Sequence, residues 1–363
     1  MTHLLATANE LVFPFAQYWG FYLGFGGVVI ALLGIDLFVF HRKSHAVGMR
    51  EAMGWTTLWV TLSCTFGFLI WIYLNQRFAD MSPDELRETY GSATIAKDIT
   101  LEFFTGYVVE KSLSIDNMFV FVVIFGFFSI PAALQHRVLF YGILGALVFR
   151  AIFVAIGAAL IQYTWVVWIF GLFLIGTGIK ILFAPEREKD PESNPVLKLL
   201  RRWVPLTPRF HGERFFVKEE ALEPGAPAGA KKALRWVGTP LFVALAMIEI
   251  SDVIFAVDSV PAVFAITREP FVVFTSNIFA IMGLRSLYFL LAGAADRFHL
   301  LKFGLGVVLV FVGVKMVLPS SVYPESWGGH FPTGWSLGLI VGVIGASMVA
   351  SLVVKPKAHS PGA

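Results

Sequence analysis

Long apolar runs separated by short polar connections set the pattern of this chain. Runs at about 17–40, 54–75, 101–125, 138–160, 165–183, 241–265, 271–293, 303–318 and 335–354 are helix-length and carry few charges. At about 20 residues per crossing they predict about nine transmembrane helices. Strand alternation cannot account for runs this long and this apolar, which excludes a barrel. The expected fold class is therefore all-α, a polytopic membrane helix bundle. The first run lacks a basic leading region and is too long for a cleavable signal, so it is expected to stay as a span.

Two of the runs are interrupted by acids. The third holds Glu110-Lys-Ser-Leu-Ser-Ile-Asp116-Asn117, and the sixth holds Glu249-Ile-Ser-Asp252-Val-Ile-Phe-Ala-Val-Asp258-Ser259-Val-Pro261. An ionised carboxylate near a span's centre costs about 2.5–3.5 kcal/mol on insertion scales. The fourteen Leu, Ile, Val and Phe residues between Leu241 and Ile266 return roughly 4–8 kcal/mol, against roughly 8–10 for that run's three acids. Such a helix is marginal alone and needs partners.

Composition agrees with the pattern, at 57% hydrophobic and 15% charged. Charge placement adds orientation. With the N-terminus outside, inside segments hold 19 Lys or Arg, outside segments 4, and spans 5, which accounts for all 28. The reading is N-terminus out, C-terminus cytoplasmic. Trp19, Trp55, Trp59, Trp71, Trp165, Trp168, Trp327 and Trp335 fall near run ends, where interfacial belts form. The single cysteine, Cys64, leaves no internal disulfide or vicinal redox pair.

Within this frame the sequence repeats itself. Glu110 to Asp116 and Asp252 to Asp258 are both six-residue steps, followed by Asn117 and Ser259. Phe149-Arg150-Ala-Ile-Phe153 matches Leu284-Arg285-Ser-Leu-Tyr288, and Gly178-Ile-Lys180 matches Gly313-Val-Lys315. Each unit crosses three times, so the second copy is expected to be inverted, an arrangement that places transporter sites at mid-membrane. The expected layout is residues 1–100 as two helices and an external loop, 101–183 as the first three-helix unit, and 184–238 as a cytosolic loop. Residues 239–318 form the second, inverted unit, and 319–363 the last helix and a cytosolic tail.

Inversion implies depth. Laid antiparallel, Glu110 levels with Asp258, and Asp116 with Asp252 and Glu249. A six-residue step on a straight helix leaves its two acids about 120° apart, so the five carboxylates cannot all meet. Either the helices break locally, with Pro261 helping, or there are two offset sites. Carboxylate, amide and hydroxyl oxygens suit magnesium, calcium or manganese. The candidate metal ligands are Glu110, Asp116, Asn117, Glu249, Asp252, Asp258 and Ser259, with Asp36 as a further candidate. Lys111, Arg150 and Arg285 are the candidate charge partners, and on the competing structural reading they simply neutralise the acids. Lys180 and Lys315 read as snorkelling. Every histidine reads as lying in a loop, a tail or a span end, and His211 reads as a surface turn feeding a strand.

The stretches Glu110-Lys-Ser-Leu-Ser-Ile-Asp-Asn117, His211-Gly-Glu-Arg-Phe-Phe-Val217, Glu249 to Pro261 and Phe274-Thr-Ser-Asn-Ile-Phe-Ala-Ile-Met-Gly-Leu-Arg-Ser-Leu-Tyr288 resemble the TerC family, the Alx-like branch most closely, over about residues 15–355. The resemblance implies a multi-pass bacterial inner-membrane protein of about nine helices, linked to tellurium resistance and, in the Alx branch, to manganese efflux and alkaline pH. The family's acids map onto Glu110, Asp116, Glu249, Asp252 and Asp258. The function expected is export of a divalent cation, manganese first, by proton exchange. The alternative is a membrane scaffold or stress-complex subunit of the redox-modulator type. No enzyme motif is present, and no tightly bound cofactor is expected. The expected partners are the lipid bilayer, the divalent metal ion and protons. A homo-oligomer or stress-complex proteins remain open, and no nucleic acid is expected.

Overall fold

The computed structural model describes residues 10–35, 48–183, 202–221, 233–292, 300–318, 322 and 332–354. Eleven helices and one hairpin account for most of them. The elements in order are α1 (Phe15–Ile35), α2 (Met49–Arg77), α3 (Pro83–Tyr90), α4 (Ile95–Phe127), α5 (Ala132–Leu160) and α6 (Thr164–Phe183). Strands β1 (Phe216–Ala221) and β2 (Ala233–Gly238) follow as an antiparallel pair. The chain continues through α7 (Pro240–Phe264), α8 (Pro270–Met282), α9 (Leu284–Ala292), α10 (Leu301–Val317) and α11 (Thr333–Val353).

The chain is an all-α polytopic membrane protein. Six helices (α1, α2, α5, α6, α7 and α11) are long and apolar enough to cross a membrane, and the bent pair α8–α9 makes a seventh if it is one span. Each of the nine apolar runs holds helix, but the count of nine spans is not reached by length and composition. The physical reason lies in two elements. The 33-residue α4 carries Lys97, Asp98, Glu102, Glu110, Lys111 and Asp116, and α10 has only 17 residues. Outward faces are apolar, with Leu23 66% and Ile30 72% exposed, as a lipid surround requires. Trp59 departs from the expected belt, being buried in the core at 4% exposure.

Packing groups the helices as the repeat suggests. Helix α4 lies on α8, α5 on α7, and α6 along α10. The last contact is the tightest. A Cβ at Gly171 would stand 3.0 Å from the Gly313 carbonyl, and one at Gly178 would stand 2.7 Å from the Gly306 carbonyl. Numbering rises along one helix as it falls along the other, so the pair is antiparallel. Gly178 matches Gly313 in the repeat, so Gly171 matches Gly306. Each glycine therefore packs on the repeat partner of the other, which is what a two-fold relation between units demands.

The helix break does not fall where Pro261 suggested. Helix α7 runs through Pro261, and the break is a 43° bend between α8 and α9 at Gly283. Helix ends leave carbonyls without intrahelical partners. Lys111 reaches across from α4 and donates through Nζ to the Ala280 carbonyl at 3.1 Å. A Cβ at Gly283 would meet that Nζ at 2.6 Å and Trp59 Cβ at 3.3 Å, so a side chain there would require the lysine to shift.

Candidate functional site in the bundle core

Arg150 is the centre of the polar interior. It projects from α5 at 1% exposure, and burying it is tolerable only because acceptors surround it. Its Nη1 pairs with Glu110 Oε1 of α4, donates to Ser259 Oγ of α7 at 2.8 Å, and donates to Asn277 Oδ1 of α8 at 3.0 Å. Its Nη2 lies 3.4 Å from Asp252 Oδ1 of α7. An Nη carries two hydrogens and here faces three oxygens, so the three acceptors compete.

The site's geometry follows from helical spacing. Asp252 and Ser259 are seven residues apart, so both point from one face of α7. Asn277 donates through Nδ2 to the Val273 carbonyl at 2.9 Å, which turns its Oδ1 toward the guanidinium. Glu110 and Asn277 are fully buried at 0%, and Asp252 is 5% exposed. The network is incomplete. Among the described residues, Glu110 Oε2, Asp252 Oδ2 and Arg150 Nε have no hydrogen-bond partner. One guanidinium faces two carboxylates, and each carboxylate keeps one oxygen open.

Asp258 does not join this cluster. It sits about 120° around α7 from Asp252, half-buried, and accepts from Thr177 Oγ1 of α6 at 3.5 Å. The expected Glu110–Asp258 layer is thus corrected: Glu110 meets Asp252 through Arg150, and Asp258 faces α6. Glu249 lies one turn before Asp252 on α7, half-buried, with its carboxylate against Gly145 of α5 and Oε2 unpartnered. Asn117 is buried on α4 at 6%. Asp116 lies in α4, but its side chain is outside the described residues, as is Asp36 altogether. No group of three or more His, Cys, Asp or Glu side chains forms a metal cluster among the described residues.

The other expected charge partners sit elsewhere. Lys111 serves the Ala280 carbonyl, where an acid was expected. Arg285, 6% exposed, contacts His136 Nε2 at 3.1 Å. His136 stands near the start of α5, the span end expected for it, and is buried there at 5%. Lys315 turns toward Ser336 Oγ at 3.4 Å, where snorkelling was expected.

Asn277 and Glu269 were not anticipated as functional. Asn277's only signal is a polar triplet, Thr275-Ser276-Asn277, inside an apolar run. Glu269, in the connection before α8, accepts from the backbone N–H of Val12 at 2.6 Å and of Phe13 at 3.1 Å, which anchors the segment leading into α1. Arg77 donates to the Val12 carbonyl at 2.7 Å.

Comparison with known proteins agrees with the architecture. The family described as "Integral membrane protein TerC family" matches residues 95–359. An uncharacterized membrane protein of Myxococcus xanthus is 45% identical over 350 residues, 96% of each chain. The Escherichia coli K12 protein named "Putative membrane-bound redox modulator Alx" is 44% identical over 328 residues, 90% of this chain and 91% of its own. A protein of the same name from Salmonella typhi is 43% identical over 333 residues, 91% of this chain and 92% of its own. No solved structure matches the chain.

Proposed function

From the premise that this chain belongs to the TerC family of integral membrane proteins, we propose that it exports a divalent metal cation, manganese first, across a bacterial inner membrane. The observation that carries the reading is the incomplete charge network. Glu110 and Asp252 come from the two repeat units and meet in the bundle core with an oxygen each left open. A buried carboxylate oxygen without a partner is costly, and evolution retains such groups in membranes chiefly along ion paths.

The donor set is hard: two carboxylates, the Ser259 hydroxyl and the Asn277 amide oxygen. Carboxylate, hydroxyl and amide oxygens suit manganese, magnesium or calcium better than soft metals. Arg150 holds the place of a cation among these oxygens. For a divalent ion to bind, the guanidinium must give up Glu110 or Asp252, and carboxylates that carry protons must release them. Export is thereby coupled to proton entry from the side where the cation leaves. Glu249, one turn from Asp252 toward the N-terminal end of α7, is the approach carboxylate. The orientation that fits is N-terminus outside, with residues 184–238 cytoplasmic, and the physiological setting is tellurium, metal or alkaline stress.

A second reading is favoured by one fact, the pairing of Arg150 within the protein. A stress-complex scaffold needs the network only for packing. The chain's single cysteine, exposed on α2, offers no intramolecular dithiol for a redox role. The deciding experiment is manganese transport by inverted vesicles of wild type and Glu110→Gln, with proton movement followed in parallel. The transporter reading expects manganese-driven proton release from wild type and none from the variant. Wild-type vesicles that move neither ion would overturn it in favour of the scaffold.

A further inference from the structure

Both faces of the β1–β2 hairpin carry large apolar side chains. Its register pairs Phe216 with Gly238, Lys218 with Trp236 and Glu220 with Leu234. Phe216, Lys218, Leu234 and Trp236 thus belong to one face, with position 220 in the same register at its far end, and Val217, Glu219, Arg235 and Val237 to the other. The second face is the inner one, with Val217 6% and Val237 1% exposed. On the first, Phe216 is 41%, Trp236 61% and Leu234 70% exposed. An antiparallel hairpin with one side in water alternates apolar inward and polar outward. This one does not, so its outer face calls for a non-aqueous cover.

What covers it is indicated by how the hairpin is fixed. The Thr239 N–H donates to the Phe215 carbonyl at 2.9 Å, and the Gly238 N–H to the Pro205 carbonyl at 2.8 Å. The Thr239 hydroxyl donates to the Arg214 carbonyl at 2.8 Å. Helix α7, one of the membrane-crossing helices, starts one residue later. The hairpin is therefore welded to the end of a span. Phe242, in the first turn of α7, packs against Phe216 with ring centroids 4.4 Å apart and planes tilted by 45°. A Cβ on Gly238 would meet the Phe242 ring at 2.7 Å, so Phe242 stands on the same side as Trp236 and Leu234. Phe242 is itself only partly covered by protein. An apolar surface therefore continues from the flank of the spanning helix onto the outer face of the strands.

The edge of that face has the chemistry of a headgroup layer. Lys218 Nζ stands 5.2 Å from the centre of the Trp236 ring, so an ammonium and an indole are presented together. Indoles settle at the bilayer interface, where an apolar ring and a polar N–H are both satisfied, and lysine extends its charge toward phosphate. We propose that Phe216, Leu234 and Trp236, with Lys218 at their edge, lie in the headgroup region of the leaflet at that end of α7. Their partner is an anionic lipid surface. The hairpin then fixes the end of the helix that carries Glu249 and Asp252 at the membrane plane. This inference does not depend on what the bundle transports.

The test uses full-length protein in lipid nanodiscs, with Cys64→Ser as background and a spin label at Leu234→Cys or Trp236→Cys. A label at Arg209→Cys, an exposed loop position, is the aqueous control. In discs containing anionic lipid, the labels at 234 and 236 are relaxed by lipid-soluble oxygen and shielded from a water-soluble nickel chelate. The label at 209 shows the reverse. Labels at 234 and 236 as open to the chelate as 209 would overturn the proposal. So would protection from both reagents, which would mean that protein covers the face, whether another part of this chain or a second copy. Equal depth in anionic and zwitterionic discs would remove the role assigned to Lys218.

Discussion

Arg150 of α5 donates to the Ser259 hydroxyl of α7 across 2.8 Å, and the same nitrogen pairs with Glu110 of α4. One side chain thus ties the first three-helix unit to the second. Removing the guanidinium strands two buried carboxylates, which costs about 3–5 kcal/mol when one partner of a buried pair is deleted. Arg150→Met is expected to lose stability of that order, read as the midpoint of unfolding in detergent. Arg150→Lys should recover only part of it, because an ammonium is a point charge and cannot span the Asp252 and Glu110 sides at once. An unchanged midpoint in Arg150→Met would show that the network carries no structural load.

Asp252 and Asp258 are six residues apart on α7 but serve different surroundings. Asp252 is 5% exposed and faces Arg150 at 3.4 Å, while Asp258 is half-buried against Thr177. Asp252→Asn is expected to abolish metal transport with the protein still folded. Asp258→Asn should slow transport and leave metal binding at the core site unchanged. Binding measured by manganese electron paramagnetic resonance separates the two, and equal loss of binding in both variants would contradict the separation.

That separation marks how far the sequence could be read. Glu110, Asp252, Ser259 and Arg150 were recoverable because charges inside apolar runs are conspicuous and seven-residue spacing keeps Asp252 and Ser259 on one face. Equal depth did not bring Glu110 to Asp258, because the step of about 120° around the helix that the spacing implies carries Asp258 toward α6 and leaves Asp252 facing Arg150. The expectation of Arg150 as a charge partner agrees with its pairing to Glu110 and Asp252, acids of two different helices. Asn277 escaped notice because a neutral amide costs little in an apolar run and so leaves no strong signal. The bend at Gly283 was unreadable for a different reason. It lies at a glycine beside Lys111 and Trp59 of other helices, contacts that no local pattern announces, whereas Pro261, three residues before the end of α7, is tolerated without a break.

Gly145 tests the place of Glu249. A Cβ at Gly145 would fall on the Glu249 carboxylate, among its Oε1, Oε2 and Cδ atoms. Gly145→Ala should therefore displace that carboxylate, at a cost below the ~1–3 kcal/mol of overpacking against fixed atoms, because the carboxylate is the end of a flexible side chain. Adding Glu249→Ala should relieve the strain, so the double variant should be more stable than the sum of the two single effects. Strict additivity would mean that the two residues do not touch.

Helix α3 offers a pH-dependent contact outside the membrane. The Ser82 backbone N–H donates to Glu85 Oε2 at 2.7 Å, and the Glu85 N–H donates to Ser82 Oγ at 3.3 Å, a reciprocal cap. The backbone hydrogen bond, with help from the Ser82 hydroxyl, holds the Glu85 carboxyl below its ordinary value of 4.5. A depressed folded value means that the cap's contribution is complete above about pH 4.5. It is lost as pH falls through the lower folded value. Amide exchange at Ser82 and at residues 84–86 should therefore accelerate in acid for wild type beyond the intrinsic rate. Glu85→Gln should show no such step.

The antiparallel seam of α6 and α10 supplies the last prediction. Gly171 and Gly313 face one another so closely that a Cβ at Gly171 would stand 3.0 Å from the Gly313 carbonyl. A Cβ at Gly313 would stand 2.7 Å from the Gly171 carbonyl. The Gly171 Cβ would also meet Val317 Cγ2, but the carbonyls are backbone and cannot swing aside, so the helices themselves must separate. Close approach of this kind is how small residues bind membrane helices, where no hydrophobic force draws them together. Gly171→Ala and Gly313→Ala are each expected to cost about 1–3 kcal/mol. The double variant should cost less than their sum, because once the helices have parted for one methyl the second has room. Gly176, on the same helix with nothing within 4 Å of its would-be Cβ, is the control. Gly176→Ala should be neutral or gain up to about 1 kcal/mol from helix propensity. If all three variants unfold alike, the seam is not a close contact; if only the seam variants weaken, the two units are held together at their two-fold-related glycines.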